Sequence, residues 1–208
     1  MERSAKNWRK ERRSGAGAIA ASIIVSLALW FALRRFLPPL EGMDELSKRM
    51  LVALKCLAVA TLFTLVAGVE AVAHERFQTA AFDPLQGHQT KRLLVNLRYL
   101  QNTLEQIVVF GVGLFGTAAY LSGGEAMRAI PATTIVWILN RLAFWIGYHK
   151  SAAMRALGAA SMAISLIMLL YVTARIGHDL AGAPGSIVLV GAFLALESIL
   201  FLKTRQPT

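Results

Sequence analysis

Arg98, Gln101, Asn102 and Glu105 recur at spacings of three, four and seven within the run Arg98-Tyr99-Leu100-Gln101-Asn102-Thr103-Leu104-Glu105. On a helix that turns about 100° per residue these four span about 100° of arc, a single polar stripe on an otherwise apolar surface. A second set lies further along the chain. Arg141, Phe144 and Tyr148 share a face at spacings of three and seven, and Arg155 follows just past a short turn. Three guanidinium groups against one carboxylate leave positive charge in excess, which buried architecture avoids unless a ligand brings the counter-charge. The combination suits an aromatic-flanked cavity for a small anion. The plainer alternative is that Glu105 pairs with Arg98 or Arg141 and merely fastens two helices together.

The elements that carry these residues are apolar over long stretches. Across 208 residues, 56% are hydrophobic, 16% are charged and the mean hydropathy is +0.53, values that do not fit a water-facing surface. A hydrocarbon core of about 30 Å takes roughly 20 apolar helical residues. Stretches 14–33, 106–124, 156–174 and 180–196 come near that length without Asp, Glu, Lys or Arg, and 50–73 and 131–149 are long enough with a few ionisable residues inside. Six crossings follow, at about 15–36, 48–75, 91–121, 131–150, 152–176 and 186–203. Pro38-Pro39, Asp83-Pro84, Ser122-Gly123-Gly124 and the 182–185 segment with Pro184 mark the breaks. Pro131 suits the start of the fourth helix.

The basic start, with Arg3, Lys6, Arg9, Lys10, Arg12 and Arg13 ahead of an apolar run, has a signal-peptide look, but that run exceeds the usual length of such a region. It reads as a retained first helix. Lys and Arg in the terminal tails and in loops 74–92 and 149–155 outnumber those of the alternate loops, which expects a cytoplasmic N-terminus. The net charge of +10 then reflects membrane orientation, and no nucleic-acid partner is expected. In that topology the third helix enters from, and the fourth leaves into, the same side. Arg98 lies roughly 10 Å below the Lys91 end and Arg141 roughly 13 Å below the Lys150 end, so the two arginines are expected to converge at similar depth.

Other ionisable and soft residues carry less. Cys56 is alone, so no intrachain disulfide forms, and it reads as a packed hydrophobe. His74, His88, His149 and His178 have no ligand-like spacing, so no metal site is expected. Lys55, Glu70 and Glu197 read as snorkelling or pairing groups. Gly111, Gly113 and Gly116 read as points of close helix approach.

The run Arg98-x-x-x-Asn102-x-x-Glu105 resembles the second-helix signature of the MAPEG family, the membrane-associated proteins in eicosanoid and glutathione metabolism. The run Arg141-Leu-Ala-Phe-Trp-Ile-Gly-Tyr148-His-Lys-Ser-Ala-Ala-Met-Arg155 resembles the third-helix end and following turn of its leukotriene-synthase branch. Phe144 stands at an aromatic hydroxyl position of the family, and Val108 where a proline is common. The resemblance implies an all-α polytopic bundle: a four-helix unit over 48–177, an extra first helix with its basic tail in 1–47, and an extra last helix in 178–208. It also implies a homotrimer that binds glutathione between subunits. By position, Arg98, Asn102, Glu105, Arg141 and Tyr148 would bind the tripeptide and Arg155 would face its sulfur, favouring the thiolate. The expected activity is transferase- or peroxidase-like, on a lipophilic small molecule, in a bacterial inner membrane. A non-catalytic binding or scaffolding protein and a small organic-anion transporter are the alternatives.

Overall fold

The computed structural model describes residues 2–204 apart from Ala152, with side chains from Ser14 onward; the side chains of the basic tail, Trp8 included, and Arg205 lie outside the described residues. Helix α1 runs Glu2–Phe36 and stops just ahead of Pro38-Pro39, so it begins well before the apolar run that defines its membrane part. Helix α2, Leu46–Phe77, is interrupted by a π-helical segment, Thr61–Val66. Two short 3-10 turns, Ala80–Phe82 and Pro84–Gln86, lead to α3, Lys91–Tyr120. Thr90 caps α3, its hydroxyl oxygen accepting from the Leu93 N–H at 3.0 Å. Helix α4, Ala129–Lys150, is followed by a 3-10 turn, Met154–Gly158.

The last helical stretch, Ala160–Thr204, is broken at Ala181 and Gly182, where Gly182 adopts φ +64°. The chain reverses there. The Ser186 hydroxyl donates to the Ala174 carbonyl at 2.7 Å, although residues that far apart would be about 18 Å apart along a straight helix. The two arms, α5 (160–180) and α6 (183–204), are each about 31–33 Å long and match a hydrocarbon core. Among the described residues, five helical stretches are long and apolar enough to cross a membrane, and the kink divides the last of them, so that the all-α bundle has six membrane-length arms, with the four long helices α1 to α4 ahead of the hairpin.

The bundle closes around Phe110 and Trp137, stacked with ring centroids 4.4 Å apart, together with Leu114, Met127 and Ile130. Small residues set the spacing. A side chain at Gly113 or Gly116 of α3 would meet Met168 or Val172 of α5, and one at Gly111 would meet Leu57 of α2, so these glycines are points of close approach. Helix α1 is fastened to α4 by polar contacts one turn apart. Ser22 donates to Asn140 at 3.1 Å, Asn140 donates to Ser26 at 2.8 Å, and the Trp30 indole N–H donates to Thr133 at 2.9 Å. Such interhelical bonds contribute about 0.6 kcal/mol each in a membrane. Most of α6, by contrast, is exposed along its length, as are the outer faces of α1 and α2.

Candidate functional site

The start of α3 and the end of α4 lie side by side, joined through buried Asn96. Its side-chain oxygen accepts from the Trp145 indole N–H at 2.9 Å and lies 3.0 Å from His149 Nε2. One layer deeper is Tyr99, fully buried and stacked on Trp145 at 4.5 Å. The Tyr99 hydroxyl donates at 3.2 Å to the Thr64 carbonyl, which lies inside the π-helical segment of α2. Tyr99 thus ties α2, α3 and α4 together.

Arg141 is turned into this layer. It is 2% exposed, donates to the Thr103 hydroxyl at 2.8 Å, and holds its guanidinium carbon 4.6 Å from the Phe144 ring centre and 5.5 Å from that of Tyr99. Its Nε has no hydrogen-bond partner, and it pairs with no carboxylate among the described residues. Two aromatic faces offset part of the cost of a buried cation, but the described residues supply it no counter-charge. The ladder continues outward along α4 from Phe144 to Tyr148, 5.6 Å between centroids, and ends with Arg155 stacked 5.5 Å over Tyr148. The tight return that brings Arg155 back depends on two glycines. A Cβ on Gly147 would lie 2.2 Å from the Met154 carbonyl oxygen, and one on Gly158 would meet Phe144 at the same distance.

The polar stripe of α3 faces elsewhere. Arg98, Gln101 and Glu105 are exposed on the outside of the single chain, with Arg98 donating to Gln101 at 3.5 Å and Gln101 to Glu105 at 3.4 Å. Glu105 forms no ion pair with a described cation, so it fastens no helices within one chain. Asn102, half-buried, stands between the stripe and the row that meets Arg141. The expected convergence of Arg98 and Arg141 is therefore not what one chain forms. Arg141 meets Tyr99 and Thr103, which lie about 120° around α3 from the centre of the stripe. The depths differ as well: Arg141 is level with Thr103, five residues or about 7.5 Å beyond Arg98 along α3.

Tyr99, Thr103 and Asn96 were not singled out from sequence. They belong to the buried row Asn96, Tyr99, Thr103, Gln106 and Phe110, whose spacings of three and four were legible as a second face of the same helix. A further buried acid sits at this end. Glu75 accepts from the Thr90 hydroxyl at 2.8 Å and lies 3.3 Å from Arg92 Nε, tying the end of α2 to the start of α3. Lys55 and Glu70 are exposed on α2, with Glu70 3.5 Å from His74.

An all-helical bundle with membrane-length arms and an arginine–aromatic ladder at one end defines a polytopic integral membrane protein. Within that class the sequence profile of the MAPEG family matches residues 52–183, more than half of the chain, and the chain belongs to that family. Membership puts it in a membrane family related to glutathione in general. The match leaves out α1 and ends where α6 begins. Neither among curated proteins nor among solved structures does the chain find a match.

Proposed function

We propose that this protein is a glutathione-dependent membrane enzyme whose site is completed between copies of the chain in a homotrimer. The observation that carries the reading is the charged stripe Arg98, Gln101 and Glu105 facing outward on a membrane-spanning helix. Ionisable groups at membrane depth are costly against lipid, and a neighbouring chain with a polar ligand in the crevice removes that cost. Arg141, buried without a carboxylate, supports the same reading because an anionic tripeptide supplies the charge that the chain lacks.

In this reading 48–177 carries the site, and the helices outside it frame the unit. Arg98 and Arg141 hold the carboxylates of glutathione, Asn102 and Glu105 its amide and amino groups, and Tyr148 lines the crevice. Bound glutathione supplies the thiol that adds to, or reduces, a lipophilic substrate. Arg155, at the open end of the ladder, favours the thiolate by its charge. The charge bias along the chain supports a cytoplasmic N-terminus, which opens this end of the bundle to cytoplasmic glutathione.

The test is calorimetric titration of glutathione into the detergent-purified chain, with ultraviolet absorbance of the thiolate followed in parallel. Binding with a thiolate band in the native chain, and loss of the band in Arg155→Ala, is the expected result. No binding removes the proposal. Binding without a band favours the non-catalytic reading, which the hydroxyl-free ring of Phe144 beneath Arg141 also supports.

A further inference from the structure

At the opposite end of the bundle from Arg141, a cavity of about 520 Å³ lies between α1, the end of α3, the start of α4, and α5. Its volume falls within the range, about 300–1,000 Å³, of pockets that take a small organic ligand. The walls are almost wholly apolar, with Ile23, Leu27, Ile164 and Met168 among them, and Leu27 and Ile167 are exposed at its edge, so it opens sideways toward lipid. Along α1 it reaches from Ile23 to Arg34, about 16 Å, which is half of a hydrocarbon core of about 30 Å. One leaflet fits that depth.

Beside Ser26, Thr133 and Tyr171, two polar side chains of the lining bear on what the space could hold. Arg34 lines the cavity in the last turn of α1, 5.0 Å over the Trp30 ring, and pairs with no carboxylate among the described residues. Trp30 is itself held in place by its bond to Thr133. Thr117, on the α3 wall, has a buried hydroxyl without a hydrogen-bond partner. A cation at leaflet-boundary depth above a one-leaflet apolar slot complements an anionic headgroup on an acyl chain.

We propose that this cavity binds one acyl chain of an anionic phospholipid, with the phosphate held by Arg34. Because α1 forms one wall and lies outside the family match, the site is a property that the added first helix confers on the bundle. It is separate from the glutathione reading, so either stands without the other.

Native mass spectrometry of the full chain, exchanged into vesicles of phosphatidylglycerol or phosphatidylcholine and extracted in mild detergent, tests it. The native chain should retain phosphatidylglycerol over phosphatidylcholine by about fivefold. Arg34→Gln should abolish the preference, and Ala163→Phe, which fills the cavity, should abolish retention of both lipids. Arg35→Gln should change neither, since that side chain does not line the cavity. Equal retention of the two lipids, or a preference that survives Arg34→Gln, overturns the proposal whether or not Ala163→Phe folds. A second copy in the slot is the rival occupant. Disulfide trapping of dimers through Ile167→Cys in a Cys56→Ser background, suppressed by Ala163→Phe and indifferent to lipid, would also overturn it.

Discussion

Helix α3 presents two polar rows that differ in what covers them. The inner row, Asn96, Tyr99 and Thr103, is buried and satisfied by α2 and α4: Tyr99 reaches the Thr64 carbonyl, and Thr103 receives Arg141. The outer row, Arg98, Gln101 and Glu105, satisfies only itself. The two rows share a helix, yet the inner row is met by other helices of the same chain while the outer row is met only within itself. A polar group met by its own fold reads as architecture, and one left open at membrane depth reads as a contact for a partner or ligand.

The largest effect in this comparison belongs to the tight return after α4 that anchors the inner ladder. Gly158→Ala forces a Cβ into Phe144 and the Asn140 carbonyl, and should cost more than about 3 kcal/mol, seen as loss of monodisperse protein or a large drop in Tm in detergent. Arg141 separates packing from charge. Arg141→Ala should destabilise by about 2–4 kcal/mol through the space it leaves, whereas Arg141→Met, similar in bulk and uncharged, should keep or raise Tm while abolishing glutathione binding by calorimetry. If Arg141→Met destabilised as much as Arg141→Ala, the charge would be structural, and Arg141 would belong with the inner row as architecture. Tyr99→Phe removes the donor to the Thr64 carbonyl and should cost about 1 kcal/mol, read by thermal unfolding. The smallest stability effect is expected on the outside. Arg98→Ala and Glu105→Gln should shift unfolding by no more than about 0.5 kcal/mol, yet weaken glutathione binding by about tenfold or more and shift the mass of the detergent-solubilised oligomer downward.

The helical arms and their breaks are decided by local properties, and those were legible in the residues. Apolar length sets each crossing, Pro38-Pro39 closes α1, and Gly182 ahead of Pro184 turns α5 into α6. Both polar faces of α3 follow from a period of 3.6 residues, and the close approaches at Gly113 and Gly116 from the need to bring helices together without bulk. How α3 is rotated about its own axis is another matter. That rotation depends on packing Phe110 against Trp137 and Tyr99 against Trp145, contacts between residues far apart in the chain. It sent Arg141 to Thr103 and left Arg98 outside, where spacing alone had them meet.

The chain's own order of residues thus determined that it lives in a membrane, which stretches are long and apolar enough to cross it, and which side chains carry charge at depth, because hydropathy and helical period act over a turn or two. Only the tertiary structure decided which of those charges face inward, that a π-helical segment in α2 offers Tyr99 a carbonyl, and that α1 leans on α4 to leave an apolar slot beneath Arg34. The reason is that rotation and separation of packed helices come from the fit of all their side chains at once, a sum that no single segment contains.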